Sequence, residues 1–496
     1  MHDREKSDRP VVPVKPSNKP AVAGAEMVEE RGLPKGNAAS ETRPGRSAGL
    51  GVSSDLDRVR QVARRDRDVQ FTALLHHVSI DRLREAYRAI SPNAAPGVDG
   101  VTWRDYGTDL EANLSDLHAR VQRGAYRAMP TRRVFIPKTD GRLRPLGVAA
   151  LEDKVLQRAV VEVLSAVYEE DFRGFSYGFR PGRSQHDALD ALAVGITRKK
   201  VNFVLDADIR DFFGSLDQSW LLKFLEHRIA DKRVLRLIQK WLAAGVIEDG
   251  EWSRTEAGTA QGASVSPLLS NVYLHYVFDL WADQWRRRDA RGDVVLVRFA
   301  DDYVAGFEYR EDAERFLADL RERFAEFGLE LHPEKTRLIE FGRFAVRDRQ
   351  RRGLRKPETF VFLGFTHICA KDRRGRFKVR RVTSKKKMQA KLKSVKTEMR
   401  KRIHHPIPEQ GLWLARVLQG HYNYYGVPDN SEAMRSFRRQ VVWHWRAALA
   451  RRSQKGEITW ERIGCLAARW LPEPRILHPW PDRRFDAKTR GRSPVR

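Results

Sequence analysis

The sequence predicts an α+β protein that ends in a basic, mainly helical part, and three observations predict it. Short β-branched runs carrying carboxylates alternate with helical patterns through the middle of the chain, an Asp-Asp step sits between two such runs, and the excess positive charge is confined to the last third. The 496 residues include 93 Lys and Arg against 65 Asp and Glu, a net charge of +28. From residue 341 onward the count is 40 against 12, again +28, so residues 1–340 are balanced.

Residues 1–54 are rich in Pro, Gly, Ala, Ser and charge without apolar periodicity, which predicts a disordered extension, and they lack the apolar core of a signal peptide. A first structured domain is expected over 55–380. It starts with a helical segment over 55–90 and a Pro-Gly turn at Asn93–Gly100. A strand pair follows around Val134, Phe135 and Ile136, closed by Thr139-Asp140-Gly141. Leu156, Val160, Val163, Leu164 and Val167 fall on one side of a helix over Val155–Tyr168, which is expected to back a sheet. Residues 201–213 read as an apolar strand in which Asp206 and Asp208 share a face. The small-residue loop Ala257–Pro267 leads to a helix, with Ser266 as N-cap and Pro267 at its first position. Val294–Val297 and Tyr303–Phe307 then flank Asp301-Asp302 as a hairpin tip. Phe360–Phe365 reads as a short β segment. A second domain, 381–496, opens with a helix from Lys385 that is basic nearly all round, followed by a helix over Gly411–Gly426.

A solvated Asp-Asp turn is common, so the hairpin alone says little. The upstream strand changes the reading. Carboxylates from two adjacent strands repel unless cations neutralise them, and hard oxygen donors of this kind suit Mg²⁺. Either Asp206 or Asp208, meeting Asp301 and Asp302, would make the arrangement needed for phosphoryl transfer to a 3′-hydroxyl with two Mg²⁺ ions. Asp206 is read as solvent-facing or salt-bridged.

The order of these pieces resembles the palm of a reverse transcriptase. Ser176–Ser184 (SYGFRPGRS), Gln261-Gly262 followed by Ser266–Asn271 (SPLLSN), and Gly328–Thr336 (GLELHPEKT) are similar to bacterial group II intron reverse transcriptase-maturases over about residues 55–496. The resemblance implies a right-hand polymerase fold of fingers, palm and thumb followed by a maturase domain, and makes Asp208, Asp301 and Asp302 the catalytic residues and metal ligands, Asp208 and Asp301 as the two metal-bridging aspartates and Asp302 as their acidic neighbour. It implies nucleotide-binding roles for Lys138 and Arg144 on the triphosphate, Phe213 beneath the sugar as a gate against ribonucleotides, Gln261 and Gly262 beside the base pair, and Lys335 in the palm. Phe299 stands where the family most often has Tyr, Ala260 where it has Pro, and Ala263 where it has Gly. None of these departures removes a ligand.

The implied activity is RNA-directed DNA synthesis from deoxynucleoside triphosphates on an RNA template with a DNA primer or target. It is joined by binding of intron RNA to assist splicing and mobility in the bacterial cytoplasm, on RNA or the nucleoid. A block this basic binds phosphate. Arg180, Arg183, Lys385, Lys386, Lys387, Lys391 and Lys393 are the expected RNA contacts. Aromatics of the second helix could stack on bases, although Trp413 and Tyr425 at helical spacing more often belong to a core.

A membrane is not the expected partner, since no run of about 18 uncharged apolar residues appears. The sequence admits a homodimer. With Cys369 and Cys465 alone, no cysteine-rich zinc site is available, so no HNH endonuclease is expected. Two other readings stand beside this one: an RNA-binding maturase with a vestigial polymerase site, and an intron-independent reverse transcriptase used in defence.

Overall fold

The computed structural model describes residues 50–137, 143–248, 251–253, 258, 262–452 and 458–489. Its strands are β1 Thr131–Pro137, β2 Leu143–Val148, β3 Phe203–Ala207, β4 Val246–Glu248, β5 Glu251–Ser253, β6 Val294–Phe299, β7 Asp302–Phe307, β8 Arg337–Glu340, β9 Phe360–Phe362, β10 Phe365–Lys371 and β11 Phe377–Thr383. They form three sheets, ordered β2-β1-β4-β5, β6-β7-β3-β8 and β11-β10-β9. With helices before, between and after them, the architecture is α+β, as expected.

Side-chain alternation in the second of these sheets sorts the apolar residues into two cores. Leu205, Ala207, Leu296, Tyr303, Ala305 and Phe307 face a first core shared with the N-terminal helices. Val204, Val295, Val297, Val304 and Ile339 face a second core, shared with the helix Gln185–Arg198 and with the C-terminal helices Lys385–Lys401, Ile407–Tyr425 and Ser431–Ala450. A one-residue slip in any of these strands would exchange the two cores.

The helix expected over Val155–Tyr168 runs Leu151–Asp171, and it is not the element laid on the sheet. Its main partners are the helices Leu50–Arg65 and Ile80–Arg88, while Arg310–Glu326 covers β3 and β7 and Gln185–Arg198 packs on β6. Buried residues lie almost all round it, from Val155 to Tyr168, which one apolar stripe did not foretell. The boundary expected at 54/55 falls inside the helix Leu50–Arg65, and that at 380/381 inside β11. The Thr139–Gly141 turn lies outside the described residues.

Candidate active site

In β6 and β7, Phe299 pairs with Asp302, leaving Ala300-Asp301 as a two-residue turn. Such turns need a positive φ, and Ala300 has φ +56°. A buried arginine holds that conformation. The guanidinium of Arg298, 1% exposed, donates to the carbonyl of Ala300 at 2.9 Å, to Asn271 Oδ1 at 3.0 Å and to Ser176 Oγ at 2.8 Å. It also pairs with buried Asp279 at 2.5 Å, on the π-helical turn His275–Asp279. From the other side Gly178 presses on the turn, where a β-carbon would come 2.2 Å from the nitrogen of Ala300, so only glycine fits. A lone charge inside the apolar run Val294–Phe299 was the signal that could have found Arg298.

Asp206 and Asp302 lie on the second-core face of the sheet and, with Asp208 just past β3, line a cleft of about 300 Å³ beside Lys335, Arg337 and Val361. Asp206 is salt-bridged to Arg337 at 3.4 Å, as expected. Burial first, then the charge of Asp208, raise its carboxyl to about 6 against the pull of Arg337. Asp302 faces the open cleft. The protein packed around its carboxyl, and then the charges of Asp301, Asp208 and Asp206, push it up to about 8.

The ammonium of Lys335 sits on Asp208, within the group of carboxylates expected to converge. Among the described residues no three His, Cys, Asp or Glu side chains stand together as a cage for an ion. The residues nevertheless fit a divalent cation. Carboxylates gathered in one cleft, each raising the pKa of its neighbour, leave an imbalance of negative charge that such an ion removes, and the donors are hard oxygens.

The remaining expected residues separate. Phe213 is buried in the first core against Phe212, just after the left-handed Asp211 at φ +40°. Gly262 is half-buried with φ +120°. Lys138, Gln261 and the side chain of Arg144 lie outside the described residues, as does Ala260.

Arg180 and Arg183, expected to contact RNA, both have partners within the protein. Arg180 is buried, pairs with Glu169 at 2.9 Å and donates to the carbonyls of Arg173 and Ser176, while Arg183 donates to Gly174 and Ser176. Ser266 is corrected: it is the buried first residue of its helix and Val265 precedes it as cap. In Lys385–Lys401, Leu392, Val395 and Met399 are buried, so the helix is not basic all round. Lys385, Lys386, Lys387 and Lys393 are exposed on its outer side, whereas Lys391 is half-buried, with its ammonium pushed down by burial. Tyr425 belongs to the second core and Trp413 packs at its edge, where Arg402 lies over its ring.

Residues 136–367, which include Asp208, Asp301, Asp302 and Lys335, match the family model "Reverse transcriptase (RNA-dependent DNA polymerase)". Protein YkfC of Escherichia coli K12 is 32% identical over 304 residues, covering 57% of this chain and 78% of that protein. Group II intron-encoded protein LtrA of Lactococcus lactis subsp. cremoris is 31% identical over 222 residues, 44% of this chain but only 37% of LtrA. An uncharacterized 91 kDa protein in the cob intron of Schizosaccharomyces pombe is 34% identical over 189 residues, 37% of this chain and 23% of that protein. With the cleft and its carboxylates inside the matched segment, the chain belongs to the reverse transcriptase family, the RNA-dependent DNA polymerases, with a group II intron-encoded protein among its relatives.

Proposed function

We propose that this chain copies RNA into DNA for a group II intron and binds the intron RNA through its basic C-terminal part to assist splicing and mobility. The observation that carries the reading is a cleft lined by Asp206, Asp208 and Asp302 beside a tight turn bearing Asp301, inside the segment matched to the reverse transcriptases. In this reading β1 and β2 belong to the fingers, the β6-β7-β3-β8 sheet is the palm, and the helices after β11 form thumb and maturase domain.

Two Mg²⁺ ions held by Asp208, Asp301 and Asp302 would activate the primer's 3′-hydroxyl and take up the charge of the departing pyrophosphate. The chain's own residues prepare that step. Arg298 fixes the turn, Lys335 neutralises Asp208 until another cation replaces it, and Phe213 closes the floor beneath the nucleotide sugar. The exposed lysines of Lys385–Lys401 track RNA phosphates, a contact that weakens with salt.

The ion pair of Lys335 with Asp208 favours a second reading, a splicing cofactor whose polymerase site is idle. Primer extension on an RNA template with deoxynucleotides and Mg²⁺ separates the two. Wild type extends and Asp301→Ala does not, while both bind the RNA. Absence of extension by folded wild type would select the splicing cofactor.

A further inference from the structure

Phe179 combines two features that a chain gains nothing by keeping on its surface. Its backbone is left-handed, φ +57°, a true outlier for a bulky residue, and its side chain is 50% exposed. The neighbours explain the angle. Gly178 is clamped against Ala300, its carbonyl accepts from Asn271 Nδ2 at 2.7 Å, and Arg180 is buried on Glu169. Between two fixed residues the chain turns through positive φ. They do not explain the ring, because glycine would make the same turn with less strain.

The ring stands beside Phe299, centroids 6.5 Å apart, the last residue of β6 before the Ala300-Asp301 turn. The non-glycine residues of positive φ among the described residues are Phe179, Asp211, Ala300, Leu363 and Asp429. Phe179 follows the Gly178 that presses on Ala300 at the hairpin tip, and Leu363 follows Phe362 of the cleft wall. Strain of this kind clusters where a ligand is positioned.

We propose that Phe179 is a stacking platform for the base of the nucleotide at the primer's 3′ end. The inference rests on the polymerase reading above. If Asp301 and Asp302 receive the 3′-hydroxyl, the nucleotide that bears it lies over the hairpin tip, and its base is the flat apolar face nearest an aromatic ring there. Stacking on a phenyl ring is indifferent to base identity, which suits a site that must accept every primer end.

The test measures the dissociation constant for an RNA template annealed to a DNA primer that ends either in an ordinary nucleotide or in an abasic one. Phe179→Leu keeps an apolar side chain and removes the π face; Phe179→Trp keeps the face. The leucine variant should bind the ordinary primer about tenfold more weakly and the abasic primer as tightly as wild type does, with tryptophan preserving affinity for both. Equal affinity of the leucine variant and wild type on the ordinary primer overturns the proposal. So does an equal loss on both primers, which would mark Phe179 as a support of the loop. Failure of the polymerase reading is seen separately, as wild type that binds the duplex and does not extend it.

Discussion

The two cores on either side of the β6-β7-β3-β8 sheet bury polar groups in opposite ways. In the first, charges are tied down: Arg298 to Asp279, and Arg228 to Asp171 at 2.9 Å with further bonds to the carbonyls of Ala63, Asp66 and Val69. Each such pair costs desolvation and returns geometry, here the conformation of the Asp301 turn. The second core also has a buried cluster, Arg381 and Arg484 on Asp190. Beside it, however, lie neutral imidazoles. Among the described residues, His186 and His421 have no hydrogen-bond partner on either ring nitrogen, and His367 is fully buried against Phe360. The first core holds its shape by fixed charge, while the second depends on groups staying uncharged.

That difference makes acid the sharpest probe. Burial foremost, then nearby cations, depresses His186 to about 2 and His367 and His421 to about 3, while His275 in the first core is also held well below its usual range. With folded pKa values below the unfolded value near 6.5, the unfolded chain binds protons that the folded one refuses, so stability is full above about pH 6.5 and falls as pH drops beneath it. Three such groups give the second core a slope approaching about 4 kcal/mol per pH unit, against about 1 for His275 alone. Hydrogen exchange followed from pH 7.5 to 5.5 should show Lys385–Ala450 opening before the helices of the first core. His421→Phe, which keeps the stack on Phe437, should remove about a third of the slope. Simultaneous opening of both cores would erase the distinction.

Next in size is the fixed charge itself. Arg298→Met leaves Asp279 buried without its partner and should cost about 3–5 kcal/mol in denaturant unfolding. Pairing it with Asp279→Leu should restore most of that stability, since two apolar side chains replace an ion pair. Primer extension should stay low in the double variant, because nothing then holds the carbonyl of Ala300. Recovery of both would show that the pair serves folding alone.

How much of this could be read in advance follows from the range of each interaction. The hairpin and the charge division are local patterns, and the hairpin strands formed where the alternation placed them; the strand read over residues 201–213 is corrected, since it ends at Ala207, before Asp208, and the chain turns through left-handed Asp211 into the helix Phe212–Ser215. The partners of Arg180 and Arg183 were hidden because a basic loop reads the same whether its arginines face a phosphate or the loop's own carbonyls. Ser266 shifted by one position because the chain enters its helix through Val265, a detail of φ and ψ that Ser-Pro does not encode. The second core was illegible for a plainer reason. Asp187 meets Lys488 at 2.6 Å and Asp190 meets Arg484 at 2.8 Å, across about 300 residues of chain in each case, and no window of sequence contains both partners.

The smallest effect probes where that core touches the cleft. The hydroxyl of Tyr424, on the helix Ile407–Tyr425, donates to the carbonyl of Leu363 at 2.7 Å. Leu363 is itself left-handed, φ +46°, in the turn that joins β9 to β10 and directly follows the cleft residues Val361 and Phe362 at the end of β9. Burial, then Tyr425 and the charge of Asp302, push the phenol of Tyr424 upward, so it stays a neutral donor throughout the working range. Tyr424→Phe should cost about 1 kcal/mol of second-core stability and leave the first core unchanged. If the turn is held from the C-terminal helices, the same variant also raises the KM for primer–template more than it lowers kcat. A loss of stability with unaltered kinetics would mean that the cleft wall is fixed by its own sheet and that the two cores meet at the site without sharing it.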